Sequence, residues 1–384
     1  MEAYFDNSAT TRVLDSVRDI VVKTMTEDYG NAASKHGRGV RAEQYIREAR
    51  SIIAKSLKVE EKEIIFTSGG SESNNMALIG AAMANRRRGS HIISTNVEHS
   101  SVYNTLGFLE EQGFEITYLP VDAQGHISLE QLKESLRPET ILVSVMYVNN
   151  EVGSVEPVED ISRVIKENQP GALLHVDAIQ AYGKYEIRPR RQGIDLMSVS
   201  GHKLHGPKGV GFLYVGDKVK VKPLIYGGGQ QRGMRSGTEN VPGVAGLGAA
   251  VKEMYTNHKE KVDYLYGLKE HFMDRIREVE GCTVNSQPGR ESAPQIVSVS
   301  FQGIRGEVLL HALEEREIYV SSGSACSSSH PGISGTLKGI GVKQELLDST
   351  LRFSFGMFNK KEEIDYTIET LKELLPVLRR YRRA

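Results

Sequence analysis

Short apolar runs alternate along this chain with amphipathic ones, and nearly every apolar run ends in a polar residue able to do chemistry. Residues 63–67, 91–95, 114–120, 140–148, 172–177, 194–199 and 210–215 read as strands, while helical spacing occupies 13–25, 38–57, 76–84 and 129–136. Strands and helices in alternation predict a mostly parallel sheet covered on both faces. Ligands of such sheets sit outside the carboxyl ends of the strands. Ser71, His99, Asn150, Asp177 and Lys203 each follow a predicted strand, so one rim can collect all five.

Lys203 stands between two of these runs, in Ser200-Gly201-His202-Lys203-Leu204-His205-Gly206-Pro207. That is a place for a reactive amine at a sheet rim, although a solvated loop lysine has the same surroundings. Lys208, beyond Gly206 and Pro207, is the only other lysine expected near it. Upstream, 172–177 is an apolar strand ending in Asp177, with Gln180 just after. A buried carboxylate needs a cation or donors. Pyridoxal phosphate (PLP) supplies one, since its ring nitrogen is cationic beside an Asp and its aldehyde forms a Schiff base with a Lys. The alternative is a capping Asp and an unrelated Lys.

Other segments carry two readings each. Residues 68–75, with Gly69, Gly70 and Ser71, form either a phosphate-binding turn before a helix or a plain capping box. His99, after a strand, either stacks on a cofactor and exchanges protons or packs as a cap. Arg352, inside the apolar run 350–355, needs an anion, which is a substrate carboxylate or a structural partner. The glycine-rich stretch 226–240, containing Arg235 and Thr238, suggests anion contact or a surface loop. Residues 6–11 suit a segment that crosses a surface or lines a cleft. Cys326 lies in a small polar segment, 321–332, where a thiol would be exposed and reactive; Cys282 looks ordinary.

At 384 residues the chain suggests two domains, with a long helical stretch from 240 towards 272 leading into the second. Strands at 296–301 and 318–320 and helices at 307–316 and 361–381 complete it, the terminal arginines 379, 380, 382 and 383 reading as a solvated helix end. With 48 basic and 49 acidic residues the net charge is −1, so no whole-chain field favours nucleic acid or an anionic membrane. No basic-then-apolar leader and no long uncharged run occurs, which predicts a soluble cytoplasmic protein. Two cysteines exclude a disulfide framework and a Cys-rich metal site, and no metal is expected.

Taken in order, Thr67 to Asn74, Glu98-His99, Val148-Asn149-Asn150-Glu151, His175-Val176-Asp177-Ala178-Ile179-Gln180, Ser200 to Lys203, Arg235-Ser236-Gly237-Thr238, Ser321 to Cys326 and Leu351-Arg352-Phe353-Ser354 resemble the cysteine desulfurases of the NifS/IscS kind, in the class V aminotransferase-like group. The resemblance implies the α/β fold type I of PLP-dependent transferases. Residues 13–255 would form a large PLP-binding domain on a mostly parallel seven-stranded sheet. Residues 1–12 and 256–384 would form a smaller α/β domain carrying the catalytic cysteine. It further implies a homodimer that converts L-cysteine to L-alanine and passes sulfur through an enzyme persulfide to an acceptor protein, for iron–sulfur assembly or tRNA thiolation.

By position, the resemblance makes Lys203 the cofactor lysine and proton-transferring base, and Asp177 the partner of the pyridinium. His99 would stack on the ring and serve acid–base steps, and Gln180 would meet the ring oxygen. Gly70, Ser71, Ser200, His202 and the other subunit's Thr238 would hold phosphate. Asn150, beside the cofactor, and Arg352 would hold the substrate carboxylate, and Cys326 would attack its sulfur. Ser71 stands where relatives commonly have Thr, and His205 where many have Tyr, close enough to Lys203 to shift local proton affinities. A selenocysteine lyase or an aminotransferase on the same scaffold is the enzymatic alternative. A sulfur-carrier or assembly scaffold with a vestigial site is the alternative of another class.

Overall fold

The structure, a computed structural model, describes residues 1–322 and 334–380. After a two-residue strand, β1 (Ala3–Tyr4), the chain builds the sheet that carries the site. Its strands are β2 (Ile64–Thr67), β3 (His91–Thr95), β4 (Glu115–Leu119), β5 (Thr140–Met146), β6 (Leu173–Asp177), β7 (Leu196–Ser200) and β8 (Gly211–Val215), in the order β2-β8-β7-β6-β5-β3-β4. Neighbours pair in parallel, except that β8 runs antiparallel to both β2 and β7. Because β8 returns directly alongside β7, the link between them stays at the rim, and that link holds Lys203.

Both faces of the sheet are apolar because both are covered. Phe66, Val143, Met197 and Phe212 join a core with the helices Gly37–Leu57 and Val241–Tyr255. Their neighbours Ile65, Leu142, Leu196 and Leu213 join another with Gly70–Asn85 and Ser100–Glu111. Successive side chains point to opposite faces, so a doubly covered strand reads as an unbroken apolar run.

Three details differ from the sequence reading. The helix expected at 76–84 begins at Gly70, so Ser71 to Asn75 form its first turns. The stretch from 240 towards 272 is two helices, Val241–Tyr255 and His258–Ile276, parted where Asn257 takes the left-handed conformation at φ 50°. The helix Val158–Asn168, absent from the sequence reading, carries the chain from β5 to β6 and buries Val158, Ile161 and Ile165 at helical spacing.

The later chain adds β9 (Cys282–Val284), β10 (Ile296–Phe301), β11 (Ile318–Tyr319), β12 (Ser321–Ser322) and β13 (Thr350–Ser354). β12, β13, β10 and β9 form an antiparallel sheet in that order, and β11 pairs in parallel with β1. A separate core joins Phe5, Phe272, Phe301, Phe353 and Phe355, with the Phe272 and Phe353 rings 4.7 Å apart. Arg379 is not solvated as expected: its guanidinium donates to the carbonyls of Gln302 (3.0 Å) and Glu280 (2.8 Å), while Arg382 and Arg383 lie outside the described residues.

The two cores are tied at the site by residues 5–11. The Asn7 amide donates to the Ser354 carbonyl at 2.9 Å, and the Thr11 N–H to the His202 carbonyl at 2.9 Å. Among the described residues no helix is long and apolar enough to cross a membrane.

Candidate active site

β7 ends at Ser200 and a tight 3-10 turn, Gly201–Lys203, follows. Lys203 Nζ donates to the carbonyls of Ser8 (2.5 Å) and Ala9 (2.7 Å), so the N-terminal strap closes over it. The lysine nearest to it is not Lys208. Lys184, 7% exposed, donates from Nζ to the Lys203 carbonyl at 2.6 Å, and burial pushes its amine down to about 7.

Asp177, at the end of β6, is 3% exposed. One carboxylate oxygen accepts the Ile179 N–H (3.0 Å) and the other the Asn74 side-chain amide (2.8 Å). Burial still raises its pKa, outweighing those donors and the nearby His99 and Lys203, which pull it down. Two residues earlier on the same face, His175 is bonded to Ser144 (2.8 Å) and Ser198 (3.0 Å) and held neutral by burial, its pKa pushed down to about 3. The layer under Asp177 thus offers it no charge.

His99 caps the helix Ser100–Glu111, its Nδ1 accepting the Ser101 N–H at 3.1 Å. Burial lowers its pKa, Asp177 pulling it up and Lys203 down. Beside it Glu98 accepts from the Met146 N–H and the Thr95 hydroxyl, both at 2.9 Å, and burial pushes it up to about 8, favouring its protonated form.

Opposite, the helix Gly70–Asn85 aims its first turn at the same space. Its first intrahelical bond is from Ser73 N to the Gly69 carbonyl, so the N–H groups of Gly70, Ser71 and Glu72 precede the ladder. A Cβ on Gly70 would meet Ile179 Cδ1 at 2.2 Å, so a larger residue there would require the Ile179 side chain to move. Ser71, Ser200 and His202 line the cavity here with Lys203. His202 Nδ1 lies 3.3 Å from the Thr10 hydroxyl, and burial and the neighbouring lysines push its pKa down to about 4. Thr238 is not brought in by its own chain; it lies exposed on the surface.

On the far wall, Arg352 is 3% exposed and donates to the Asn150 carbonyl (2.8 Å) and the Asp6 carboxylate (2.9 Å). Its Nε is buried and has no partner among the described residues. The anion it requires is therefore Asp6 within this chain, with the cavity beside it. Gln180 donates to the Ser8 carbonyl (3.0 Å), leaving its oxygen buried and unpaired. Cys326 lies outside the described residues. Both flanks of its segment meet this wall: Ser321 pairs opposite Arg352, and the Ser334 hydroxyl donates to Glu151. Cys282 is ordinary, as expected, with burial pushing its thiol up to about 11.

His205 carries no charge to lend Lys203. It is buried at φ 62°, with Nδ1 on the Arg12 carbonyl (2.8 Å) and Nε2 near the Met357 N–H (3.5 Å), and burial pushes its pKa down to about 4. It ties the strap to the loop after β13.

One cavity thus gathers Gly70, Ser71, His99, Asn150, Asp177, Gln180, Ser200, His202, Lys203 and Arg352 from the sequence reading. Asp6, Asn74, Ser101 and Lys184 belong with them and were assigned no role from sequence. The set fits a flat anionic cofactor with a cationic ring: free N–H groups and hydroxyls for a phosphate, a buried carboxylate for the ring nitrogen, and an amine for a carbonyl carbon. Among the described residues no group of three or more His, Cys, Asp or Glu is gathered as a metal site needs.

Residues 3–367 match the aminotransferase class-V family. A cysteine desulfurase IscS of Methanosarcina thermophila is 42% identical over 98% of this chain and 92% of its own length. Among solved structures, a NifS-like protein superposes with a TM-score of 0.93 at 38% identity, covering 98% of this chain and all of its own. A structure of SspA in complex with cysteine gives 0.82 at 35% identity, covering 93% of this chain and all of its own.

Proposed function

The chain belongs to the aminotransferase class-V family, and from that membership together with the cavity we infer that it is a PLP-dependent cysteine desulfurase acting on L-cysteine. The observation that carries this reading is the convergence of Asp177, Lys203 and the helix start at Gly70 on one cavity. Bound there, PLP would supply an electron-withdrawing ring and a carbon that accepts an amine.

The chain's own groups then have distinct tasks. Gly70, Ser71, Ser200 and His202 would hold the phosphate, and Asp177 would keep the ring nitrogen protonated. Gln180, whose side-chain amide N–H donates to the Ser8 carbonyl, would turn that donor towards the ring oxygen. Arg352 and Asn150 orient the substrate carboxylate, Arg352 exchanging its Asp6 contact for it. Lys203 releases the carbonyls of Ser8 and Ala9 and moves a proton at the substrate Cα. His99, which lines the same cavity, would stack on the ring and serve the acid–base steps.

Cys326 is the sulfur acceptor in this reading. Its thiol attacks the substrate sulfur, an S–S bond forms as the Cβ–S bond breaks, and Cβ keeps that electron pair and takes the proton. L-cysteine and the thiol become L-alanine and a persulfide. The anchoring of both flanks of 323–333 against Arg352 and Glu151 supports this assignment. The persulfide would pass to an acceptor protein of iron–sulfur assembly or tRNA thiolation, in the cytoplasm, where thiols stay reduced.

A homodimer is part of the proposal. Thr238 is exposed, and the nearby Leu224, Ile225 and Tyr226 are 37%, 40% and 77% exposed, an apolar surface suited to a second copy whose phosphate site Thr238 would complete. The division into residues 13–255 and 1–12 with 256–384 is likewise our reading, supported by separate cores around the two sheets.

The test is to incubate the purified, PLP-loaded protein with L-cysteine and quantify products. Equal alanine and sulfur release in the presence of a thiol reductant is expected. Pyruvate or another keto acid in place of alanine, or no turnover, would overturn the assignment.

A further inference from the structure

His99 Nδ1 receives the Ser101 N–H at 3.1 Å, and the Ser101 hydroxyl lies 2.8 Å from the same nitrogen. That hydroxyl in turn accepts from the Asn74 amide at 2.9 Å, and the same amide nitrogen donates its second proton to Asp177 at 2.8 Å. Asn74 is fully buried, one turn into the helix that starts at Gly70.

The direction of each proton follows from hydrogen-bond accounting. An Asn74 oxygen turned towards Asp177 would set a carbonyl against a carboxylate, so its nitrogen faces both partners. The Ser101 oxygen then accepts, and its own proton is free to point at His99. A backbone N–H cannot reverse its role, so Nδ1 is an acceptor twice over.

We propose that Asn74 and Ser101 are positioning residues that lock His99 as its Nε2–H tautomer, so that the ring meets the cavity as a hydrogen-bond donor. This rests on the acid–base role given to His99 above and narrows it to the donor side, the ring giving a hydrogen bond or proton from Nε2 and taking none. A neutral ring with Nδ1 engaged cannot accept a proton from an incoming thiol or ammonium without changing tautomer. Proton acceptance at the substrate therefore falls to Lys203, and His99 stabilises charge that develops near its Nε2–H.

Burial lowers the His99 pKa in the same sense, and the charged groups facing it are Asp177 from the end of β6 and Lys203 from the turn after β7, acting in opposite directions. Glu98, next along the chain, is pushed up to about 8 by burial, which favours its uncharged form.

The experiment is long-range proton–nitrogen NMR on histidine-labelled holoenzyme, with the His99 signals identified by their loss in His99→Gln. Wild type should show a protonated Nε2 and a bare Nδ1 from about pH 6 to 8. In Ser101→Ala, which removes one donor from Nδ1, the tautomers should mix, and the His99 protonation midpoint should rise by about half a pH unit or more with the acid limb of kcat following. Ser101→Thr should restore both. An Nδ1–H ring in wild type, or a Ser101→Ala protein with unchanged tautomer and midpoint, would overturn the proposal. Full turnover by His99→Gln would instead remove the acid–base role on which it rests, while leaving the tautomer measurement intact.

Discussion

Lys184 Nζ lies 2.6 Å from the main-chain oxygen of Lys203, so one buried lysine holds the turn that presents the other. This contact keeps an amine in a place that favours its neutral form. Lys184 is charged in the unfolded chain up to its ordinary value of 10.5, but burial pushes it down to about 7 in the folded protein. Between these values the unfolded state binds the extra proton, so folding stability rises with pH across that window.

Lys184→Met removes that proton linkage. In urea unfolding of the cofactor-loaded protein between pH 7.5 and 9, wild type should gain about 1.4 kcal/mol per pH unit relative to the variant. Parallel stability profiles would show that Lys184 stays charged in the fold.

Lys203→Ala should abolish turnover and the borohydride-reducible attachment of PLP to the chain. Lys184 is the nearest alternative amine, but it is enclosed and engaged with the Lys203 carbonyl. A Lys203→Ala protein that still traps PLP covalently after reduction, with the label mapped to Lys184, would reassign the reactive amine.

Arg352 already donates to Asp6 and Asn150, and its planar fork sets where a substrate carboxylate can lie. Arg352→Lys should raise KM for cysteine by about tenfold or more, a loss of about 1.4 kcal/mol, while PLP occupancy is kept. Asp6→Asn leaves an acceptor for Arg352 without its negative charge, so KM should fall severalfold. Steady-state kinetics beside the visible absorbance of bound PLP separates these effects. Equal loss of cofactor and substrate binding in Arg352→Lys would mark a purely structural ion pair.

Cys326→Ala should keep PLP and bind cysteine, since every group assigned to hold either lies elsewhere. Alanine formation from cysteine should nearly stop, and the protein-bound persulfide should vanish from the mass spectrum. Turnover of selenocysteine should persist, because selenium leaves more readily. Undiminished alanine from cysteine would point to a lyase without a covalent sulfur step.

The amino-acid order alone determined the doubly covered sheet, since strands enclosed on both faces are written as unbroken apolar runs, and it marked Asp177, which ends such a run, and Lys203, which lies in the short link between two. These are local properties, readable within about ten residues. Asn74 was not legible, because its role depends on the helix beginning at Gly70 and turning that residue towards a carboxylate 103 positions away. Asp6 and Arg352, 346 positions apart, meet only because the N-terminal strap crosses from β13 to the rim. His205 was expected to adjust protons near Lys203, but burial makes it neutral, and burial is a property of packing rather than of spacing. Sequence thus determined which residues reach the rim, while only the tertiary structure decided which of them are charged, which are paired, and in which direction each proton points. Solvent exclusion and contacts between distant segments set those terms.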